Sequence, residues 1–194
     1  MSLAAKSIPQ NRTYFGGQLE FSRECSGVVM SEVTYCGKRK WMGHSHNRAF
    51  FAFLLNGGYQ EYYRNHDVEY RPHTLNFRPA GMTHRDEITA AGTKFFITEI
   101  ANSWEKRLRE YSPQINLSPD FCDADGPWLA MSLYDAIKHS PSFSPLLVEG
   151  IVSDLLAGLI KRPKFLERKK PPKKSSFKVD DSGCPQLYSR CQDW

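Results

Sequence analysis

Two short histidine-bearing segments hold the residues best suited to chemistry. Gly43-His44-Ser45-His46 precedes a strongly apolar stretch, and Pro79-Ala80-Gly81-Met82-Thr83-His84 follows another. Residues two apart on an extended chain project to one face, so a single strand can aim both His44 and His46 inward. His84, from a later strand, can complete a facial triad. Three neutral imidazoles suit Zn, Fe, Ni or Cu and leave positions open for water or a ligand. With an ordinary pKa of about 6.5, the same rings also serve, without metal, as donors and acceptors to a polar guest. Both chemistries stand open on these residues alone.

The elements that must position these rings follow from the hydrophobic pattern. Between residues 20 and 101, short runs rich in Val, Phe, Tyr, Thr and Ile alternate with turn residues, which predicts an antiparallel sandwich or barrel. Strands are expected near Gly27–Tyr35, Ala49–Asn56, Tyr59–Arg64, His66–Tyr70, Thr74–Arg78 and Thr93–Ile100. Asn56-Gly57-Gly58, Asn65-His66, Pro79-Ala80-Gly81 and Ala91-Gly92 supply turn chemistry between them. So many strands at this spacing need closure or a second sheet.

After Ile100 the period changes to that of a helix. Asn102 with Glu105 matches a capping box opening a helix through Tyr111, with Trp104, Leu108 and Tyr111 on one face. Gly126-Pro127 opens a second helix to about His139, and Ser144-Pro145 a third. In the third, Leu147, Ile151, Leu155 and Leu159 recur four apart. That stripe either packs on the chain's own barrel or pairs with a second copy. The expected organisation is an arm at 1–19, the barrel at 20–101, a helical segment at 102–161, and a basic linker with a disordered tail at 162–194.

Composition narrows the function classes. The 194 residues are 40% apolar and 24% charged, enough for one buried core with extras. From Met1 to Ile160 there are 16 basic and 17 acidic residues, whereas Lys161 to Lys178 holds nine basic residues and one acid. An unstructured cationic run of that kind attracts nucleic acid only weakly and without sequence choice. The five cysteines form no CxxC pair, which gives neither a disulfide framework nor a zinc knuckle and fits a reducing compartment. No apolar run has the length of a membrane span, and the start lacks a signal-peptide core, so the expected location is cytoplasmic, with no membrane partner. Nucleophile elbow, Walker loop, dinucleotide fingerprint and zincin motif are all missing.

The two histidine segments resemble the paired motifs of the cupin superfamily, HxH followed by a Glu and later PxG followed by His, which supply metal ligands inside a double-stranded β-helix. Phe50 or Phe51 stands where that Glu belongs, His73 in place of a leading Gly, and Ile88 in place of a trailing Asn. Tyr59, Gln60 and Glu61 are the candidate substitutes for the missing carboxylate. The resemblance implies a jelly-roll barrel.

Over about residues 15 to 172, the order HxH, apolar strand, Gly-Gly turn, aromatic hairpin and Thr74–Asp86 is similar to the N-terminal sensing domain of AraC-type transcription regulators. Leu146–Ala157 with the basic residues and Pro171-Pro172 is similar to the dimerisation helix and linker of that family. Members carry two helix-turn-helix units after the linker. No recognition helix fits between Pro172 and Trp194, so sequence-specific DNA binding by this chain alone is not expected. The resemblance implies a small-molecule sensing domain that homodimerises through its C-terminal helices, not an enzyme. The alternative is a stand-alone cupin metalloenzyme using His44, His46 and His84.

A small barrel of this kind holds a ligand against an apolar wall with a few placed polar groups. The candidate lining set is Trp41, His44, His46, Phe51, Tyr59, Tyr63, Arg78, His84 and Phe96, with no catalytic residue among them. For Phe51 and Phe96 an ordinary core role competes, and Tyr59 and Tyr63 have an outer-face alternative. Arg78 and Arg85 suit either an anionic ligand or surface ion pairs with Asp86 or Glu87.

Overall fold

The apolar run that begins at Ala49 is buried on both of its faces, and that single fact organises the molecule. Phe51 and Phe53 point one way while Phe50, Ala52 and Leu54 point the other, all of them buried. A strand covered on both sides loses polar alternation and reads as a continuous hydrophobic stretch. The computed structural model describes residues 13–63, 66–111, 125–140 and 142–160.

Among the described residues the strands are β1 (Thr13–Tyr14), β2 (Gly17–Cys25), β3 (Val28–Tyr35), β4 (Arg39–Lys40), β5 (Ala49–Asn56), β6 (Tyr59–Tyr63), β7 (His66–Tyr70), β8 (Leu75–Arg78), β9 (Arg85–Ile88) and β10 (Thr93–Ile100). The helices are α1 (Asn102–Tyr111), α2 (Gly126–His139) and α3 (Pro145–Ile160). A six-stranded sheet of order β1-β2-β3-β10-β5-β8 faces a four-stranded sheet of order β4-β9-β6-β7, and their strand pairings are antiparallel. The fold is therefore mainly β with C-terminal helices. The predicted strands are present with ends shifted by a residue or so, and β5, β7 and β10 run over the expected residues.

Two apolar layers result. Between the sheets lie Leu19, Val33, Tyr35, Phe50, Ala52, Leu54, Tyr59, Ile88, Phe95 and Ile97. On the other face of the larger sheet, Met30, Phe51, Phe53, Phe77 and Phe96 pack under Leu133, Ile137, Val152 and Leu155 of the helices. Each such side chain contributes about 1.5–3 kcal/mol by leaving water. Glu32 on β3 ties the layers together: its carboxylate accepts from Tyr134 and Lys138 of α2 and pairs with Lys94 of β10. Although burial pushes the Glu32 carboxyl up, these donors hold it below the ordinary value.

Three expectations are revised. The sheet begins at Thr13, inside the stretch assigned to an arm, because Thr13 and Tyr14 pair with Gln18 and Gly17. In α3 the core-facing seam is Val148, Val152, Leu155 and Leu159, while Leu147 is 41% exposed. A strict four-residue repeat drifts off one face of a 3.6-residue helix, whereas mixed three- and four-residue steps stay on it. Strands β1 and β2, and the short polar strands β4 and β9, which carry no apolar alternation, were not anticipated. The Asn65 turn, the Tyr111 side chain and everything from Lys161 onward, including the basic linker, lie outside the described residues. Among the described residues no helix is long and apolar enough to cross a membrane.

Candidate metal and ligand site

The two histidine segments are neighbours in one antiparallel ladder. β4 pairs with β9 through Arg39–Ile88 and Lys40–Glu87. The pairing continues through the Trp41 N–H donating to the Asp86 carbonyl at 2.8 Å. His44 and His84 then face each other directly, exchanging both backbone hydrogen bonds at 3.0 Å. Gly81 N–H closes the series on the His46 carbonyl at 2.8 Å. Distant segments thus become adjacent, and period two does the rest: His46 shares a face with His44, and Asp86 shares one with His84. His73, standing where a glycine was expected, takes φ 67°, the left-handed conformation glycine favours and histidine tolerates better than most residues.

The three imidazoles gather. Their ring centroids lie 4.5 Å (His44–His84), 5.1 Å (His44–His46) and 5.3 Å (His46–His84) apart, and one nitrogen of each lies within 4.8 Å of the others. His44 Nδ1 donates to the Met42 carbonyl at 3.0 Å, and His84 Nδ1 to that of Met82 at 3.1 Å. With Nδ1 donating to the carbonyls, each Nε2 points inward, where a protonated ring donates to a carboxylate and a neutral ring offers a lone pair to a metal. His46 Nε2 is buried without a hydrogen-bond partner. Burial first, then the neighbouring His84 and His44, press the His46 pKa down to about 4, so this ring is neutral at pH 7.

Sequence reasoning missed the acidic member. Asp86 Oδ2 lies 3.3 Å from His44 Nε2 and 3.5 Å from His84 Nε2, and its Oδ1 accepts from Tyr59 Oη at 2.7 Å. Burial alone would raise the Asp86 carboxyl, but the bonds from His44, His84 and Tyr59 hold it well below the carboxylate range. The bond to Asp86 in turn raises the His44 pKa. The available signal was His84-x-Asp86, the same parity argument that joined His44 to His46. The orphaned His46 nitrogen and the inward lone pairs fit a divalent transition metal such as Zn, Fe, Ni or Cu.

A cavity of about 180 Å³ adjoins this cluster, lined by Phe15, Tyr35, Trp41, His44, His46, Phe50, Ala52, Tyr59, Asp86, Ile88, Phe95 and Ile97. Of the expected lining set, Trp41, His44, His46 and Tyr59 are on its wall, and Tyr59 is buried rather than on the outer face. His84 sits in the cluster behind it. Phe51 and Phe96 do not reach the cavity: strand parity turns them to the helices, against Phe77 and Tyr134 respectively. Tyr63 and Arg78 are also off its wall. Arg78, 1% exposed, forms a bidentate pair with Glu61, donates to Tyr70 Oη at 2.8 Å and to the Phe77 carbonyl, and lies over the Tyr63 ring. Glu61 is thus committed to Arg78. Among the surface pairs considered, Glu87 binds Lys40 at 2.9 Å, Arg85 stacks on Tyr62, and Asp86 faces inward.

The two antiparallel sheets and the trailing helices define the class: a mainly β protein with C-terminal helices. Among solved structures it is similar to KdgF from a Halomonas species (10% identity, TM-score 0.41, covering 48% of this chain and 87% of that one). It is also similar to a cupin-2 domain protein from Shewanella frigidimarina (15% identity, TM-score 0.36, 52% and 83%). A third is a cupin superfamily protein from Desulfitobacterium hafniense (13% identity, TM-score 0.39, 50% and 96%). These likenesses concern the fold alone. No family model and no curated protein matches the sequence.

Proposed function

We propose that this chain is a small-molecule-binding, dimerising module of an AraC-type regulator, with a metal-assisted pocket for a ligand of about one aromatic ring. The observation that carries the reading is a cavity whose walls are aromatic and whose polar pole is the histidine–aspartate cluster. An apolar cavity of roughly 150 Å³ accepts benzene, which sets the size of the guest. His44, His46 and His84 would hold a divalent cation, whose charge would outweigh that of Asp86 and favour an anionic or electron-rich head group. Phe15, stacked on His46 at 4.5 Å and edge-on to Phe50 at 5.1 Å, covers the pocket from the N-terminal side, where ligand-dependent movement can be passed on.

Binding rather than turnover is favoured by the state of the lining groups. Tyr35 donates to the Phe15 carbonyl, and Tyr59 to Asp86. His44 and Asp86 are paired with each other, and His46 belongs to the ligand set. Among the described lining residues, each of these polar groups is thus held by a partner or belongs to the ligand set. For dimerisation, the support is Leu146, 78% exposed, beside the half-exposed Leu147 at the start of α3. The metalloenzyme alternative keeps one observation in its favour, a carboxylate beside three imidazoles, since a metal there supplies Lewis acidity.

Protein purified without chelator decides between them. The expected result is about one transition metal per chain and calorimetric binding of single-ring aromatic carboxylates, recovered unchanged after incubation. Conversion of such a compound overturns the sensing reading in favour of the enzyme, and absence of both metal and binding overturns both.

A further inference from the structure

We propose that Asp86 is the anionic ligand of the metal centre, monodentate through Oδ2, with Tyr59 as its positioning residue. The proposal rests on the metal reading above and assigns the carboxylate to β9 rather than to the segment after His46. Phe50 fills the inward position there, its ring 4.9 Å from that of His46, and offers no ligand atom.

Lone-pair arithmetic carries the assignment. His44 and His84 spend their Nδ1 protons on the Met42 and Met82 carbonyls, so in the neutral rings both Nε2 atoms are acceptors. Each of them faces Asp86 Oδ2, another acceptor, at 3.3 and 3.5 Å. The third imidazole brings a ring nitrogen within 4.8 Å of those of His44 and His84, and its Nε2 is buried without a hydrogen-bond partner. Acceptors that converge in a partly buried space repel unless a cation or protons intervene. Tyr59 Oη occupies Oδ1, which turns Oδ2 toward the histidines and fixes the carboxylate plane, the role outer-shell partners play at metal sites.

The rival carboxylate is already engaged. Glu61 stands directly opposite Asp86 in the β6–β9 ladder and lies within ligand distance of His84 and Asp86. Its two oxygens, however, are clamped by Nε and Nη2 of Arg78. Arg78 is itself fixed by Tyr70 and the Phe77 carbonyl, so Glu61 is kept out of the ligand set. The competing account makes Asp86 only the counter-ion of a protonated His44, in which case metal entry must first displace it.

Titration of the chelator-stripped chain with Zn²⁺ or Co²⁺ alone separates the two. A ligand role predicts that D86N weakens binding about a hundredfold and alters the Co²⁺ visible spectrum. Y59F should weaken it about tenfold, and E87Q, on the outward face of the same strand, should leave it unchanged. A counter-ion role predicts equal or tighter binding by D86N and an unchanged Co²⁺ spectrum, which overturns the proposal. If D86N does not fold, Y59F carries the test: a tenfold loss supports the assignment and wild-type affinity overturns it. Failure of the wild-type chain to bind either metal removes the metal reading itself, a different result from equal binding by wild type and D86N.

Discussion

Glu61 and Asp86 face one another directly across the β6–β9 ladder, the first carboxylate fully buried and the second mostly so. Like charges in that position repel, and the fold answers each differently: Arg78 clamps Glu61, while His44, His84 and Tyr59 bind Asp86. Removing one partner of a buried pair strands the other charge. R78M is therefore expected to cost about 3–5 kcal/mol in urea unfolding at pH 7, and the double variant E61Q/R78M to recover most of it. A single-variant cost below about 1 kcal/mol would show that the pair does not neutralise Glu61.

Glu99 offers a pH-dependent test away from the histidines. It sits on β10 between Val29 and Phe50, and burial alone raises its carboxyl to about 7 from the ordinary 4.5. The folded state then holds a proton that the unfolded state gives up between these values, so this group lowers stability as pH rises from about 4.5 to 7. E99Q removes the effect. Its stability should match wild type near pH 4 and exceed it at pH 8 by about 1 kcal/mol, the shift being discounted for the partial exposure of the group. Equal stabilities at both pH values would place the Glu99 carboxylate in water.

Phe15 holds φ 50°, an uncommon conformation for a bulky residue, with its carbonyl bound by Tyr35 and its ring on His46. Strain of this kind persists only where surrounding contacts hold it. F15A should weaken binding of a single-ring aromatic carboxylate about 10- to 100-fold, mostly through faster dissociation in stopped-flow measurements. Unchanged affinity would mean that the ring is not part of the ligand site.

The start of α3 supplies the dimerisation test. Ile151 packs partly on the core, so charge there disturbs the fold as well as any interface, whereas Leu146 and Leu147 are exposed. Sedimentation of the wild type should give twice the chain mass, and L146E/L147E should give the monomer with an unchanged far-ultraviolet circular dichroism spectrum. A monomeric wild type at high concentration ends the dimer proposal.

Much of the frame was legible because local chemistry dictates it. Gly57, at φ 93° with no room for a Cβ against the Thr93 backbone, marks the β5–β6 turn from sequence and structure alike. The helix boundaries at Asn102, Gly126 and Pro145 were equally local. β4 and β9 were not: Arg-Lys and Arg-Asp-Glu-Ile carry no alternation, and only pairing with each other and with β6 makes them strands. Asp86 stayed hidden with β9, since a polar residue in an unrecognised strand reads as surface.

The amino-acid sequence by itself determined that His44 and His46 share a face, that a β-rich body precedes the described helices, and that the chain turns at Gly57, Gly81 and Gly92. These are properties of neighbouring residues on one chain. Tertiary structure alone decided that Phe51 and Phe96 look toward helices and Phe50 toward the cavity. It likewise decided that Asp86 joins the imidazoles and that Arg78 meets Glu61 instead of a guest. Side-chain parity is built into an extended chain, but which side becomes interior, and what stands opposite, is set by the register between segments tens of residues apart.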